Sequence, residues 1–189
     1  AVDSAQLDKQ YRDATAGPMA TAEKTGDVEA AFSAPGAKLV EATYEVPFLA
    51  HAAMEPLNCT VDIKPDRADV WISTQAPMAV LGIVAQETGL SPENIRVHNA
   101  FLGGGFGRRG GAHDELLHAL AVAKAVNRPV KLIWSREQDI RRDRYRPQAA
   151  VKFKAALDPA GKATAFQTRG AVPSLLRDIA PPEAIASGV

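Results

Sequence analysis

One short segment limits the possible folds of this chain more than any other, because it suits neither a helix nor a strand. Residues 103–111 contain six glycines in nine positions. Glycine loses more backbone entropy on folding than any other residue, and it has no side chain to bury. Such a run is tolerated where the main chain must approach a ligand or another chain closely, so we predict a loop of that kind here.

The residues around this glycine loop favour an anionic ligand. Its glycines expose N–H groups, a predicted helix begins just after it, and Arg108 and Arg109 add positive charge. These features together suit a phosphorylated or anionic cofactor. The alternative is a surface loop that needs a positive φ at several positions. The spacing gives neither a G-x-G-x-x-G dinucleotide fingerprint nor the Gly-Lys-Ser/Thr end of a P-loop.

The rest of the sequence predicts an α+β fold with mixed and antiparallel sheets and packed helices. Alternating stretches joined by turns indicate hairpins, and separate amphipathic stretches indicate isolated helices, a combination typical of this class. We expect a lead-in over residues 1–37, a main domain over 38–172, and a tail over 173–189 that continues into further sequence. Helices are predicted over 5–14, 27–32, 77–88 and 114–126, and strands over 39–46, 58–63, 68–73, 95–98, 130–134, 149–157 and 163–172.

Two of these elements carry specific predictions about burial. In the last predicted helix, we expect Leu116, Leu117, Leu120 and Ala121 to face the core. The strand over 130–134 is a short apolar run, which predicts a strand of the buried type.

Composition excludes several classes of protein. An apolar fraction of 46% and a charged fraction of 23% suit a packed globular core. Lys and Arg number 22, as do Asp and Glu, so the chain has no positive excess for nucleic acid. The single cysteine, Cys59, cannot form an internal disulfide, an iron–sulfur cluster or a Cys-based zinc site. No transmembrane segment or signal peptide is expected, because no stretch of about 20 apolar residues or leader pattern is visible.

Three further groups of polar residues have both a functional and a structural interpretation. The Gln75 amide can donate to an oxo group or accept from a substrate, or Thr74 or Gln75 can cap the following helix. His51 and Glu55 can form an acid/base pair or make structural hydrogen bonds. The segment 136–146 alternates Arg with Glu and Asp, which favours a solvated ion-pair surface. The four histidines show no metal-ligand spacing.

The order of the motifs is more informative than any one of them. Five occur in series: His-Ala-Ala-Met-Glu-Pro (51–56), Trp-Ile-Ser-Thr-Gln-Ala-Pro (71–77), Gly-Gly-Gly-Phe-Gly-Arg-Arg (103–109), Arg-Pro-Val-Lys-Leu-Ile-Trp-Ser-Arg-Glu-Gln-Asp (128–139) and Tyr-Arg-Pro (145–147). This series resembles the molybdenum-binding large subunit of the xanthine dehydrogenase and aldehyde oxidase family. The Phe-Gly-Arg-Arg form is most similar to the isoquinoline oxidoreductase beta-subunit branch, which includes membrane-associated aldehyde dehydrogenases.

The resemblance implies that the main domain is part of a molybdenum cofactor-binding domain, with the pterin in its cytosine dinucleotide form. Gln75 corresponds to the glutamine that hydrogen-bonds an oxygen ligand of molybdenum. Phe106 and Gly107 correspond to residues beside the metal and the pterin. The pterin itself holds the metal in this family, so no direct protein ligand is expected. The implied cofactor-binding residues are Gln75, Gly104, Gly105, Phe106, Gly107, Arg108 and Arg109.

The resemblance further implies a fragment of a catalytic subunit that oxidatively hydroxylates an aldehyde or N-heterocycle using water. Gly110 stands where xanthine-oxidising members have a glutamate, which argues against xanthine as the substrate. The general-base glutamate of the family has no match before Val189, and iron–sulfur clusters are expected on a partner subunit or domain. We therefore expect the fragment to be inactive alone and to require the remainder of its large subunit. A periplasmic or inner-membrane-associated location is favoured by resemblance.

Two alternatives from other classes stay open. One is a non-catalytic scaffold or interaction module that keeps the family fold, with Gln75 turned into the core. The other is a nucleotide-binding module, which predicts that the isolated chain binds nucleotide.

Overall fold

The computed structural model describes residues 3–111 and 113–174, which form two compact units. One unit comprises residues 3–49 and 147–174, and the other is Ala50–Arg146. Helices combined with antiparallel and mixed sheets confirm the predicted α+β class. In chain order the elements are α1 (Ser4–Ala16), α2 (Val28–Phe32), β1 (Lys38–Val46), β2 (Asn58–Ile63), β3 (Ala68–Ile72), α3 (Pro77–Thr88), a 3-10 turn (Pro92–Asn94), β4 (Ile95–Asn99), α4 (Asp114–Val126), β5 (Val130–Ile133), α5 (Arg136–Arg141), β6 (Ala149–Leu157) and β7 (Ala163–Ala171).

The first unit is a three-stranded antiparallel sheet in the order β1-β6-β7, with α1 and α2 packed against it. Asp158 closes the β6–β7 hairpin, because its Oδ1 accepts from the N–H groups of Ala160 and Lys162, both at 2.9 Å. An Asp side chain that bonds the backbone in this way stabilises a tight turn. Residues 175–189 of the predicted tail lie outside the described residues, so the domain boundaries stay predictions.

The second unit is a four-stranded sheet in the order β4-β3-β2-β5. β2 pairs antiparallel with β3 and β5, whereas β3 and β4 are parallel and are connected through α3. Because the carboxyl ends of parallel strands lie at the same edge of a sheet, the segments that follow β3 and β4 begin side by side. These two segments contain Gln75 and the glycine loop.

The core of the second unit lies between this sheet and helices α3 and α4. Burial of a Val or Leu side chain contributes about 1.5–3 kcal/mol, so these side chains hold the helices on the sheet. α3 begins at Pro77 and ends before Gly89, which adopts a left-handed φ of 73°, as the Pro and Gly signals predict. Fully buried core residues are Val61, Val70, Val80, Val84, Leu116 and Leu120.

The burial prediction for α4 is confirmed for Leu116 and Leu120 and wrong for Leu117 and Ala121, and the prediction of a buried β5 is wrong. In α4 the apolar side chains facing the core are Leu116, Ala119, Leu120 and Ala123, whereas Leu117 is 41% exposed and Ala121 is exposed. The small side chains of the two alanines allow the helix to approach the sheet closely. β5 has alternating half-buried and exposed residues, because successive side chains point to opposite faces of the sheet, and among the described strands it pairs with β2 alone, at the edge. A sheet edge leaves one side of the strand without a neighbour.

The solvated-surface interpretation of 136–146 is correct for most of its arginines and wrong for its aspartates. The first half of the segment is the short helix α5, which begins where the Ser135 Oγ accepts from the N–H of Gln138 at 3.2 Å. The carboxylates of Asp139 and Asp143 are buried, and Asp139 pairs with Arg136 at 2.6 Å. Buried carboxylates of this kind require nearby positive charge.

Candidate functional site

The structure brings Gln75 and the glycine loop together. The Gln75 N–H donates to the Arg109 carbonyl at 3.0 Å, and the Thr74 hydroxyl donates to the same carbonyl at 3.1 Å. In return, the Gly107 N–H donates to the Gln75 Oε1 at 3.1 Å. The segment after β3 and the loop after β4 are therefore bonded in both directions.

Gln75 does not cap helix α3. The N-cap residue is Ala76, which makes no side-chain capping bond, so the capping interpretation of Thr74 or Gln75 was wrong. Because the Gln75 Oε1 is occupied by the Gly107 N–H, the amide is fixed with its NH₂ group free, and no residue in the described ranges accepts from it. The residue is exposed rather than turned into the core. An amide held in this way offers two N–H donors to a ligand.

Three glycines of the loop are required by its geometry. A Cβ at Gly105 would lie 2.6 Å from the Gln75 Oε1 and 2.8 Å from its Cδ, so only glycine permits this approach. Gly104 and Gly107 have φ values of 109° and 102°, which disfavour any other residue. Within residues 3–111 and 113–174, nothing accepts from the N–H groups of Gly104, Gly105 or Phe106. The loop thus presents unpaired donors next to the Gln75 amide.

Phe106 projects from this loop. It has a positive φ of 52°, a conformation that costs a non-glycine residue about 1–2 kcal/mol, and its side chain is 65% exposed. Phe101 and Leu102, which precede the glycines, are also exposed. The site therefore combines an exposed apolar rim with polar donors, as small-molecule sites do.

The buried side chain of Arg109 anchors the glycine loop. Its side chain is 1% exposed and its guanidinium donates to the carbonyls of Gly104 at 3.1 Å, Ser73 at 3.2 Å and Glu55 at 2.8 Å. The same group pairs with the Glu55 carboxylate at 3.4 Å. The planar fork of arginine suits several acceptors at once. Arg109 therefore connects the loop to the segment after β3 and to the 51–56 motif. The sequence predicted that this side chain binds the cofactor, whereas its bonds in the structure are to the protein.

Glu55 is the carboxylate of this anchor. It accepts from the N–H of Gly103 at 2.7 Å and from Asn58 at 2.7 Å. Partial burial alone would raise the pKa of Glu55, but these donors and the charge of Arg109 outweigh burial and lower the pKa below its ordinary value. Glu55 does not pair with His51, so the structural interpretation of this carboxylate holds. It is ionised at neutral pH and fixes the start of the loop.

Arg108 belongs to a second buried cluster. Its Nε lies 3.1 Å from the Asp143 Oδ1 and its Nη2 lies 3.0 Å from the Asp114 Oδ2. Asp143 also binds the His51 Nδ1 at 3.0 Å. Sequence reasoning missed Asp143 and Asp114 as part of the site. An acidic residue within an arginine-rich segment was the available signal, and it was assigned to the surface.

Another buried pair lies behind Gln75. The side chains of His113 and Glu115 are fully buried and approach each other to 3.5 Å. The His113 Nε2 lies 3.4 Å from the Thr74 hydroxyl, which holds the Arg109 carbonyl. His113 is structural, as predicted, while Glu115 was not singled out. A glutamate in the first turn of α4, between apolar positions, was the signal for it.

Residues 3–111 and 113–174 contain neither a cluster of metal ligands nor a membrane-spanning helix. No three or more His, Cys, Asp or Glu side chains there form a group able to hold a metal ion. No helix of that part of the chain is long and apolar enough to cross a membrane.

Comparisons with known proteins identify the family of this chain. The sequence model of the family described as "Molybdopterin cofactor-binding domain" matches residues 11–172. The isoquinoline 1-oxidoreductase subunit beta of Brevundimonas diminuta is 32% identical over 133 residues, which are 69% of this chain and 17% of that protein. The aldehyde oxidoreductase molybdenum-binding subunit of Escherichia coli O157:H7 is 32% identical over 150 residues, 79% of this chain and 20% of that protein.

Solved structures share the fold. The aldehyde oxidoreductase from Desulfovibrio desulfuricans ATCC 27774 matches with a TM-score of 0.66 and 24% identity, covering 82% of this chain and 18% of that one. The chain thus spans about a fifth of the length of the relatives that it matches. The glycine loop, the Gln75 amide and these matches lead to one conclusion: the chain belongs to the molybdopterin cofactor-binding domain family of the molybdenum hydroxylases, which includes aldehyde and xanthine oxidoreductases.

Proposed function

We propose that this chain forms one wall of the molybdenum–pterin site in a larger catalytic subunit. That subunit oxidatively hydroxylates an aldehyde or an N-heterocycle using water. The observation that carries the proposal is the Gln75 amide, which the Gly107 N–H fixes at 3.1 Å against a loop too close for any Cβ at Gly105. This arrangement serves no packing purpose, since Gln75 is exposed.

The residues present fit the cofactor that the family implies. The NH₂ group of Gln75 would donate to an oxygen ligand of the metal. The N–H groups of Gly104, Gly105 and Phe106 would face the anionic part of the group, and the Phe106 ring would form an apolar wall beside it. When bound, the cofactor supplies the oxidising centre for a two-electron oxidation of the substrate.

The residues beneath the loop orient these donors. The Arg109 and Glu55 side chains hold the start of the loop at Gly104 and Gly103, and the bonds of Thr74 and Gln75 to the Arg109 carbonyl hold its far end, so the loop N–H groups keep their directions before any ligand arrives. Arg108 is committed to Asp143 and Asp114, so we assign it to loop support rather than to the predicted cofactor contact. Donors fixed in advance bind an anion without losing further conformational entropy.

Our assignment of the substrate class rests on the family branch and on one position. Gly110 provides no carboxylate where the purine-oxidising members have one, and it is exposed. Without that carboxylate, a purine loses an orienting partner, whereas an aldehyde or a simple N-heterocycle does not need it. The relatives named for isoquinoline and aldehyde oxidation support the same choice.

The remaining parts of the enzyme are assigned outside this chain. We place the general-base glutamate in the remainder of the large subunit, and the iron–sulfur clusters on a partner subunit or domain. The single cysteine, Cys59, is buried in the core and cannot hold a cluster. We further assign the cytosine dinucleotide form of the pterin, on the strength of the branch that the sequence resembles. On this assignment, the isolated fragment is inactive.

The test compares two glutamine variants of the full-length subunit, copurified with its partner. Gln75→Ala removes the fixed amide, and Gln86→Ala removes an exposed amide on α3 as the matched control. Molybdenum is measured by mass spectrometry, pterin by fluorescence after oxidation, and turnover on a panel of aldehydes and N-heterocycles. We expect turnover to fall about 10²-fold or more in Gln75→Ala and to stay at the wild-type level in Gln86→Ala.

A folded, partner-bound wild-type preparation that contains neither molybdenum nor pterin would contradict the proposal. The scaffold alternative would then lead, with the exposed Phe101 and Phe106 as its protein-contact residues.

A further inference from the structure

His51 borders the glycine loop at the position of Gly107. A Cβ placed at Gly107 would meet no atom closer than the His51 Nε2, which would lie 4.0 Å away. Gly107 is the residue whose N–H fixes the Gln75 amide. The imidazole therefore lies beside the open space at one edge of the candidate cofactor site.

The orientation of this imidazole is fixed from its other nitrogen. The His51 Nδ1 lies 3.0 and 3.1 Å from the two carboxylate oxygens of Asp143, and the His51 backbone N–H donates to the same carboxylate. The side chains of His51 and Asp143 are 10% and 4% exposed. A carboxylate at Nδ1 makes that nitrogen the donor and leaves Nε2 for another partner.

No partner for Nε2 exists among the described residues. Around it, Arg108 lies between the carboxylates of Asp143 and Asp114, and Arg144 lies 3.6 Å from Asp114. A neutral imidazole with its proton on Nδ1 accepts a hydrogen bond at Nε2. A buried histidine that is oriented so closely and has one free acceptor is suited to bind a ligand.

We propose that His51 is a further contact of the pterin cofactor, with Nε2 accepting a hydrogen bond from a pterin N–H beside Gly107. Asp143 is the positioning residue that orients the imidazole, and Arg108 holds Asp143 in place. This inference rests on the proposed cofactor site and adds to it a residue from the 51–56 motif. In this proposal, Arg108 and Asp143 together position the His51 imidazole.

The test separates the two nitrogens by substitution in the full-length subunit with its partner. His51→Asn keeps a donor near the place of Nδ1, so Asp143 stays bonded, but it lacks Nε2. His51→Gln keeps an acceptor near the place of Nε2. His98→Asn is the matched control, because His98 also bonds an aspartate in the second unit, Asp69 at 2.9 Å, but is exposed and lies on β4.

We expect the retained pterin and molybdenum to fall about 10-fold or more in His51→Asn, at an unchanged melting temperature, with partial recovery in His51→Gln. His98→Asn is expected to retain the wild-type content. A His51→Asn protein with the melting temperature and the pterin content of the wild type would overturn the inference. Neither metal nor pterin in the wild type would instead overturn the proposed function itself.

A second measurement needs no variant. Diethyl pyrocarbonate modifies free imidazole nitrogens, and the modified peptides are identified by mass spectrometry. We expect His51 to be modified more slowly in cofactor-loaded subunit than in subunit made in cells that cannot synthesise the pterin, where Nε2 has no ligand in front of it. His118, which is exposed, serves as the internal reference. Equal modification of His51 in both preparations would overturn the inference even if the substituted proteins failed to fold.

Discussion

The buried side chain of Arg109 makes several of the contacts that shape the glycine loop. Its guanidinium reaches the carbonyls of Gly104, Ser73 and Glu55 and pairs with the Glu55 carboxylate. These acceptors come from three separate stretches of sequence. Arg109 therefore links the loop to the segment after β3 and to the 51–56 motif, in addition to the bonds made by Gln75 and Glu55.

Arg109→Ala is expected to lower the free energy of unfolding by about 3 kcal/mol or more, because it leaves several carbonyls without a donor and removes the positive charge beside the Glu55 carboxylate. Urea unfolding followed by circular dichroism measures the change. Arg128→Ala removes an exposed arginine and is expected to stay within about 0.5 kcal/mol of the wild type. Equal stability of the two variants would show that the Arg109 contacts contribute little.

Gly105→Ala tests the close approach to Gln75. The added Cβ would lie 2.6 Å from the Gln75 Oε1, so the amide must move away and the bond from Gly107 is lost. We expect cofactor content and turnover of the full-length subunit to fall. Gly82→Ala is the control, since a Cβ there meets nothing within 4 Å and alanine favours the helix by about 1 kcal/mol. Wild-type turnover in Gly105→Ala would contradict the geometry.

The residues of the site could be predicted from the sequence only in part. The glycine run and Gln75 stand out because glycine spacing and motif order are visible in the sequence itself. The partners of Arg109 and Arg108 are not visible there, because Arg109 bonds to Glu55 and Arg108 to Asp143 across long separations in sequence. Both arginines are buried, which depends on tertiary packing and is not visible in the sequence, so both were predicted to face the cofactor.

At the scale of elements, local signals were sufficient for most boundaries. α3 and α4 begin and end where predicted. Pro77 suits the first turn of α3, and Gly89 and Asn127 adopt the left-handed conformation that ends α3 and α4. The predicted face of α4 was right for Leu116 and Leu120 but wrong for Leu117 and Ala121, and the predicted burial of β5 was wrong, since burial depends on which neighbour covers the element. Periodicity identifies an apolar stripe, whereas the topology decides which part of it meets the sheet.

Strand β2 lies inside its sheet and contains the one cysteine. Burial raises the pKa of the Cys59 thiol to about 12, and the negative charge of Glu115 adds to this. We expect iodoacetamide at pH 8 to leave Cys59 unmodified in the folded chain and to label it readily in denaturant, where an ordinary thiol pKa is about 8.5. Peptide mass spectrometry follows the reaction. Labelling of the folded chain within minutes would mean that the sheet opens easily.

At the scale of the whole molecule, the two compact units differ in how much apolar surface they bury. The core cluster of twelve buried residues lies entirely in Ala50–Arg146. In the unit formed by 3–49 and 147–174, Val40, Tyr44 and Phe166 are exposed on the sheet. Local stability follows the density of buried apolar contacts.

We therefore expect amide hydrogen exchange in the 189-residue chain to be faster in β1 and β7 than in β2 and β3. Mass spectrometry of peptic peptides resolves these strands. The comparison is internal to one sample, so it needs no reference protein. Equal protection of both units would contradict the expectation and would mean that the exposed apolar side chains are covered in solution.

The strained backbone of Phe106 predicts how this position would change under laboratory evolution. Its left-handed backbone, with φ of 52°, lowers the stability of the fold by about 1–2 kcal/mol, a strain that glycine at this position would not have. A laboratory lineage selected for heat resistance alone should therefore acquire Phe106→Gly early, whereas a lineage selected for turnover should keep the aromatic ring. Whether descendants retain the phenylalanine thus records what they were selected for.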